Sequence, residues 1–281
     1  MNPTTSTSAL AAGAPSVSAS PFACERAPLP LGRLLAAYAL EAKLETLGAL
    51  RTPALALPFL LVPAAIYLLF GVVIAGKAGE SSEYGPALAD YFFSGFAVLA
   101  AVMPGIFSCA GLATEREGDV LKLKRAQPQP PGATIVAKVL SSMAVSALAV
   151  ALVAAAALAA GKITLSPGAV AALAATLVVG SIPFAAIGLL LGTLVSGAAA
   201  PAWGNLVFLP QIWLSGLFIP LPDSLERFVI LWPTFHLNQV ALAAGGVAKF
   251  QFLPPAIAVA VLAGITVVCG GLAIRRLARV G

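Results

Sequence analysis

Four groups of residues have the types and spacing that chemistry needs. Gly71 to Lys77 reads GVVIAGK and matches the first seven positions of a phosphate-cradling loop, G-x-x-x-x-G-K. The next residue of such a loop must be Ser or Thr to hold magnesium, and here it is Ala78. The glycines also sit in an apolar run instead of between a strand and a soluble helix. The match is therefore read as chance, and the chain is not expected to hydrolyse nucleotide. Cys24, Cys109 and Cys269 stand far apart with no C-x-x-C pair, and His236 is the only histidine, so neither a zinc nor a redox site is expected. Cys109 and Cys269 read as small buried hydrophobes. His236, beside Asn238 and Gln239, reads as a surface or hydrogen-bonded residue and not as a catalyst.

The fourth group is a charged interruption, Thr114 to Lys138, between two apolar stretches. It holds five of the 16 Lys and Arg residues, together with Glu115, Glu117 and Asp119. A loop this charged must stand in water, and its basic excess suggests the cytoplasmic side. Thr114 and Glu117 have capping-box spacing, which predicts a helix start as the chain leaves the bilayer. Pro128, Pro130, Pro131 and Gly132 then stop the helix and turn the chain back. The loop is read as the place where the chain meets whatever drives it.

The elements that position this loop follow from composition. The chain has 281 residues, of which 60% are hydrophobic and 10% charged. Its mean hydropathy is +0.98. A soluble domain carries about 25% charged residues. The apolar runs are continuous and about twenty residues long, as transmembrane helices require, and lack the alternation of a barrel. The fold class is thus an all-α polytopic membrane protein. Six spans are expected: Ala54 to Gly76, Tyr91 to Leu112, Val139 to Ala160, Ala169 to Val195, Ala202 to Ile219 and Ala256 to Ile274. The basic residues gather at their ends, as a topology signal does, so the excess of positive charge does not point to nucleic acid. Twelve fall on one side: Arg26, Arg33, Lys43, Arg51, Arg116, Lys122, Lys124, Arg125, Lys138, Arg275, Arg276 and Arg279. Four fall on the other: Lys77, Lys162, Arg227 and Lys249. Both termini are therefore expected in the cytoplasm, with the chain in a cell (inner) membrane.

Residues 1–28 are rich in Ser, Thr, Ala and Pro and read as a disordered cytoplasmic tail, leaving 29–281 as the transmembrane domain. Leu31 to Arg51 carries two apolar stripes. Leu31, Leu34, Leu35, Tyr38 and Ala42 share one, and Leu40, Leu44 and Leu47 the other, so one interfacial helix or two short ones are open. Leu214 to Leu242 is too polar to cross the membrane and too apolar for a free loop. Pro220, Pro222 and Pro233 divide it into pieces that fit re-entrant or interfacial helices. Gly188 and Gly192 form a G-x-x-x-G that allows close helix packing. The six expected spans contain no Asp, Glu, Lys, Arg or His, which argues against ion coupling and intramembrane catalysis. The most polar span is the fifth, where Asn205, Gln211 and Ser215 either line a path or join helices.

Three stretches resemble the ABC-2 type permease family, the membrane subunits of ATP-driven exporters. The first is Glu115-Arg116-Glu117-Gly118 to Lys122, then Arg125, Pro128, Pro130-Pro131 and Lys138. It departs from the family at Asp119, Gln127 and Ala137, where Thr, Thr and Gly are common. The second is Leu214-Ser215-Gly216-Leu217-Phe218-Ile219-Pro220, and the third Trp232-Pro233-Thr234-Phe235-His236-Leu237. The resemblance covers Leu31 to the C-terminus. It implies a connecting helix before the first span, a coupling helix in the charged loop, and external re-entrant helices before the last span.

Its implied partners are a separate P-loop ATPase subunit, which holds the ATP and magnesium, and a second permease copy or paralogue. Membrane lipid surrounds the complex, and this chain itself carries no cofactor. Glu115, Glu117, Asp119, Lys122, Lys124 and Arg125 become the candidate ATPase-docking residues. The expected function is a permease subunit, not an enzyme, exporting an amphiphilic or lipophilic cargo such as a drug, a lipid or a lipid-linked molecule. The alternative is a secondary transporter or channel that works without an ATPase.

Overall fold

A computed structural model describes residues 30–74, 87–127, 130, 132–218, 226–247 and 250–280. The expected tail over 1–28, Gly76 and Lys77, Pro128 and Pro131, the 219–225 stretch with its prolines, Lys249 and the side chains of Arg125 and Arg227 lie outside those residues.

The described residues are helical, with no strand among them. In order they form α1 (Leu31–Arg51), α2 (Pro53–Tyr67), a π-helical continuation of α2 (Leu68–Ile74), α3 (Ala87–Ala110), α4 (Leu112–Glu117) and α5 (Val120–Ala126). There follow α6 (Ala133–Ala160), α7 (Pro167–Gly180), α8 (Ile182–Leu194), α9 (Ala200–Trp213), α10 (Glu226–Val229), α11 (Pro233–Gly245) and α12 (Pro255–Val280). Proline marks several starts, at Pro53, Pro167, Pro233 and Pro255, where its missing N–H would have no helical partner anyway. Gly161 closes α6 in the left-handed conformation (φ 62°), its N–H bonded to the Leu158 carbonyl.

Among the described residues, five helical stretches are long and apolar enough to cross a membrane: Pro53–Ile74, Leu88–Glu117, Ala133–Ala160, Pro167–Leu194 and Pro255–Arg279. The segment expected as the fifth of six spans falls short of this. Its helix, α9, has 14 residues and turns at Leu214 to Gly216, with Gly216 at φ 72°. Fourteen residues rise about 21 Å, against a hydrocarbon core of about 30 Å. The span boundaries also shift. α3 begins early enough to take in Asp90, 3% exposed, and α6 early enough to take in Lys138. The helices thus carry Asp90 and Lys138 one residue before the expected starts of the second and third spans, so the helices themselves are not free of ionisable groups. Asp90 accepts from both the backbone N–H (2.8 Å) and the hydroxyl of Thr164, pinning the α6–α7 connection to the start of α3.

α3 is the most buried of the five spans. Phe92, Phe93 and Phe96 on it meet Tyr67 and Phe70 of the first span, and Phe96 also meets Phe218 after α9. Gly71, the first glycine of the phosphate-loop match, has a packing role in this seam. A Cβ there would stand 2.4 Å from a ring carbon of Tyr67. The G-x-x-x-G works inside the chain. A Cβ at Gly188 would stand 2.4 Å from the Ile106 carbonyl oxygen, and one at Gly192 would stand 2.8 Å from the Leu112 Cβ. These two glycines let α8 lie backbone to backbone on α3 and α4.

Leu31 to Arg51 forms one helix, which settles the open choice. α1 has no buried residue and lies along α6 and α2, with Leu31, Leu35, Leu40 and Leu44 exposed. The segment between α9 and the last span holds α10 and α11. Thr234 to Gln239 of α11 are all buried, and the helix packs on α7, α12 and α3, as the mixed polarity of this segment predicts.

Candidate functional site

The charged loop folds into two short helices at one end of the bundle. The expected capping box does not form. α3 runs on into α4 through Gly111, whose N–H bonds the Phe107 carbonyl at 3.2 Å, so no free helix start exists for Thr114 to cap. Thr114 sits within α4 and its carbonyl accepts from the Gly118 N–H at 2.9 Å. The chain reverses into α5 at Asp119, which adopts a left-handed φ of 58°. Asp tolerates that conformation better than most side chains.

Behind the loop lies an ion cluster. The Lys138 ammonium, 3% exposed, bonds Glu45 at 2.6 Å and Glu115 at 2.5 Å. The Lys124 ammonium stands 3.1 Å from Glu41, 3.3 Å from Glu45 and 3.8 Å from Glu115. Three carboxylates thus share two ammonium groups, and the contacts join α1, α4, α5 and α6. α1 has no fully buried residue, and these charges tie it to α5 and α6 alongside half-buried Leu34, Tyr38 and Leu47.

Glu45 and Lys124 of the cluster have shifted proton affinities. Burial alone would raise the Glu45 carboxyl, but the Lys138 ammonium, its hydrogen bond and then Lys124 outweigh that and hold it below its ordinary 4.5. Burial alone would lower Lys124, but Glu115 and Glu45 outweigh it and hold it above its ordinary 10.5. A depressed acid contributes stability above its ordinary value and loses it as pH falls through the folded value. A raised base contributes stability below its ordinary value and loses it as pH rises through the folded one. The stability difference between the wild type and Glu45→Gln is therefore expected to stay constant from about pH 6 to about pH 9, and to close as pH falls below about 4.5. Thermal unfolding of both proteins in detergent across that range measures it.

Neighbouring residues on α4 grip the turn between α8 and α9. The two terminal nitrogens of Arg116 donate to the Thr193 carbonyl (2.6 Å) and the Val195 carbonyl (2.8 Å). A cation at a helix C-terminus also faces the negative end of the helix dipole. Glu117 accepts from the Gly197 N–H at 2.8 Å. A Cβ at Gly197 would stand 2.9 Å from that same carboxylate oxygen, so the turn fits closely.

Of the six sequence-derived loop residues, Arg125 has its side chain outside the described residues, and the other five divide. Glu115 and Lys124 turn inward to the ion cluster, and Glu117 holds the α8–α9 turn. Asp119 and Lys122 stay in water, 64% and 76% exposed, and pair with each other at 2.8 Å. Leu123 beside them is 67% exposed. Glu41 and Glu45 stand outside the sequence-derived candidates. Their signal was present, since they stand four residues apart on the stripe of Tyr38 and Ala42, where a helix meets protein.

The polar residues of the fifth expected span also separate. Asn205 is exposed on α9, beside Leu206, Leu209 and Trp213. Gln211 is buried and donates to the Val207 carbonyl at 3.0 Å, and Ser215 is buried with its hydroxyl 3.4 Å from the Ile212 carbonyl. His236 is 1% exposed and one ring nitrogen lies 2.8 Å from the Ile230 carbonyl. Cys109 is fully buried.

Long apolar helices around a buried α3, with a charged helical junction at one end, define a polytopic membrane protein. A family model described as ABC-2 type transporter matches residues 40–252, well over half of the chain. The chain belongs to that family, and it is an ABC transporter permease: a membrane transport component and not a catalyst. Comparison with curated proteins gives no match.

Proposed function

We infer that the chain is the permease subunit of an ATP-driven exporter, powered by a separate P-loop ATPase that binds the ATP and magnesium. The observation that carries this is the two-sided build of α5. One side, with Leu121 buried and Lys124 in the ion cluster, is tied to α1, α4 and α6. The other presents Lys122 and Leu123 to water beside Asp119. A docking helix needs this combination of a wet face and a firm hold on the bundle. Movement of the ATPases would reach α1 through the cluster and α9 through Arg116 and Glu117. The cargo is amphiphilic or lipophilic, in keeping with the scarcity of charge within the spans. Both termini lie in the cytoplasm, the membrane is the inner one, and α9 with its following turn stands as a sixth membrane segment completed by a second copy.

The chain, tagged and extracted from its own membrane in mild detergent, is expected to bring down a soluble P-loop ATPase near one to one. Lys122→Glu with Leu123→Ser is expected to lose that partner while the protein stays monodisperse, because neither side chain is bonded into the bundle. A chain that purifies alone and transports in vesicles without ATP would favour the secondary transporter or channel instead.

Asn205 supports the second copy. An amide facing hydrocarbon lacks hydrogen-bond partners, whereas two copies related by a two-fold axis along α9 would let each Asn205 bond the other. Asn205→Leu is expected to weaken pairing by roughly 3- to 30-fold, the range of interhelical amide bonds in membranes. Photobleaching steps of labelled protein at low density in nanodiscs count the copies.

A further inference from the structure

A cavity of about 140 Å³ lies at the end of the bundle away from the charged junction, where α11 and the ends of its neighbours meet. That volume is close to the engineered protein cavities that hold a benzene-sized group. Tyr91 of α3, Ser215 and Gly216 after α9, Ile230 after α10, Phe235 of α11 and Phe252 before α12 are among its walls. Among the described residues, none that lines it is charged. A bare ionic group would lose its hydration there with no counter-ion to replace it.

One polar group faces the cavity with capacity to spare. Asn238, 2% exposed, lines it. Its carboxamide oxygen accepts from the Ser94 hydroxyl at 2.7 Å, and Ser94 is wholly buried. That bond fixes the orientation of the amide and leaves its two N–H donors for the cavity. Gln239 beside it is spent on the wall. Its oxygen accepts from the N–H groups of Phe252 (2.8 Å) and Leu253 (3.3 Å), and its nitrogen donates to the Phe250 carbonyl (3.2 Å). The wall is thus fastened, while Asn238 points donors at space. The rim is apolar and reaches the surface. Ile230 is 51% exposed and Phe252 61%, and Phe228 and Leu231, next in the chain to the lining, are 62% and 73% exposed. An apolar rim of this kind is continuous with lipid.

We propose that this cavity binds the uncharged head of a neutral amphiphile, whose ester, amide or hydroxyl oxygen accepts from Asn238 while its tail leaves past Ile230 and Phe252 into the bilayer. The charge-free lining selects against fatty acids and cationic amphiphiles of the same length. The role of the cavity as a station for exported cargo rests on the permease reading above, but binding itself does not.

The test uses the full chain in phosphatidylcholine nanodiscs without any ATPase. A decanoyl monoacylglycerol carrying a photoactivatable diazirine is the probe. Diazirine-bearing decanoate and decyltrimethylammonium are the charged comparisons, and cross-linked peptides are mapped by mass spectrometry. The neutral probe is expected to label the 229–239 and 250–253 segments, and the charged ones at least about 5-fold less. Asn238→Leu combined with Ser94→Ala removes the donors together with the hydroxyl that would otherwise lose its acceptor. It is expected to cut labelling by roughly 5- to 10-fold, the loss of one hydrogen bond. Ile230→Trp, at the exposed rim, is expected to block entry without touching the fold, whereas Val267→Trp on the exposed face of α12 should change nothing. Equal labelling by all three probes, or labelling that survives both cavity variants, overturns the site. Specific labelling in a chain that recovers no ATPase would leave the site standing and remove the exporter reading instead.

Discussion

Gly188→Leu is expected to remove nearly all monodisperse protein from detergent extracts of the membrane. The space a side chain would need at this position is filled by backbone. A Cβ would meet the carbonyl oxygens of Ile106 at 2.4 Å and Gly105 at 2.7 Å, and the Cβ of Cys109 at 2.9 Å. Side chains can rotate away from a clash, but carbonyls of a helix cannot move without breaking their own hydrogen bonds. Overpacking a filled core costs about 1–3 kcal/mol where side chains can yield, and a backbone obstruction lies at or above the top of that range. Gly105→Leu should fail in the same way from the facing side, since its Cβ would stand 3.0 Å from the Phe184 Cβ and 3.1 Å from the Ala185 nitrogen. Gly264→Leu provides the control, because a Cβ on that part of α12 meets nothing within 4 Å. Size-exclusion profiles of fluorescent fusions compare the three. A wild-type profile for Gly188→Leu would mean that α3 and α8 do not meet at these glycines.

The second large effect is expected at Lys138. Lys138→Met removes the ammonium that bonds Glu45 at 2.6 Å and Glu115 at 2.5 Å, and leaves three carboxylates facing Lys124 alone. Breaking a buried ion pair from one side costs about 3–5 kcal/mol, because the remaining charge stays buried without its partner. The hold of α1 on α5 and α6 should then loosen at the cluster, since α1 has no fully buried residue to reinforce it. Replacing a whole buried ion group with neutral or apolar residues is often close to neutral. Lys138→Met combined with Glu45→Gln and Glu115→Gln should therefore recover most of the lost thermal midpoint, although each added change also deletes a native contact. The pair of midpoints is the measurement. A single variant as stable as the wild type would show that the cluster bears no weight, and a triple variant worse than the single would show that packing and not charge is what Lys138 supplies.

The helical class and most span positions could be read from the sequence because they rest on local facts: continuous apolar runs, and proline or glycine at the stops. The start of α7 at Ser166-Pro167 is such a case, with the Ser166 hydroxyl accepting from the Ala169 N–H. The segment between α9 and α12 was legible for a related reason, since its mixture of Trp, Phe, Pro and polar residues fits neither lipid nor water. The candidate docking residues were legible only as a group. Which of them face inward depends on Glu45 and Lys138, 93 positions apart, and no local pattern joins those two. The capping box misled because Thr-x-x-Glu signals a helix start only where a helix starts, and α3 runs on past Gly111. The fifth expected span was legible as an apolar run but not in its helical length, because apolar composition continues past Trp213 while the helix does not. The early starts of α3 and α6 drew in Asp90 and Lys138 because helix ends follow backbone geometry, whereas the expected spans followed hydropathy alone.

The glycine contact between α3 and α8 has a mechanical consequence. Helices that slide past one another in a working transporter do so by exchanging side-chain rotamers across their seam. Here carbonyl meets Cα at Gly188, and no intervening layer exists that could exchange. The two helices must travel as one body, with α4 and the turn gripped by Arg116 carried along. Shear is then left to the seams made of side chains. A hinge has its natural place at Ser181, where the Pro167–Leu194 span breaks between α7 and α8.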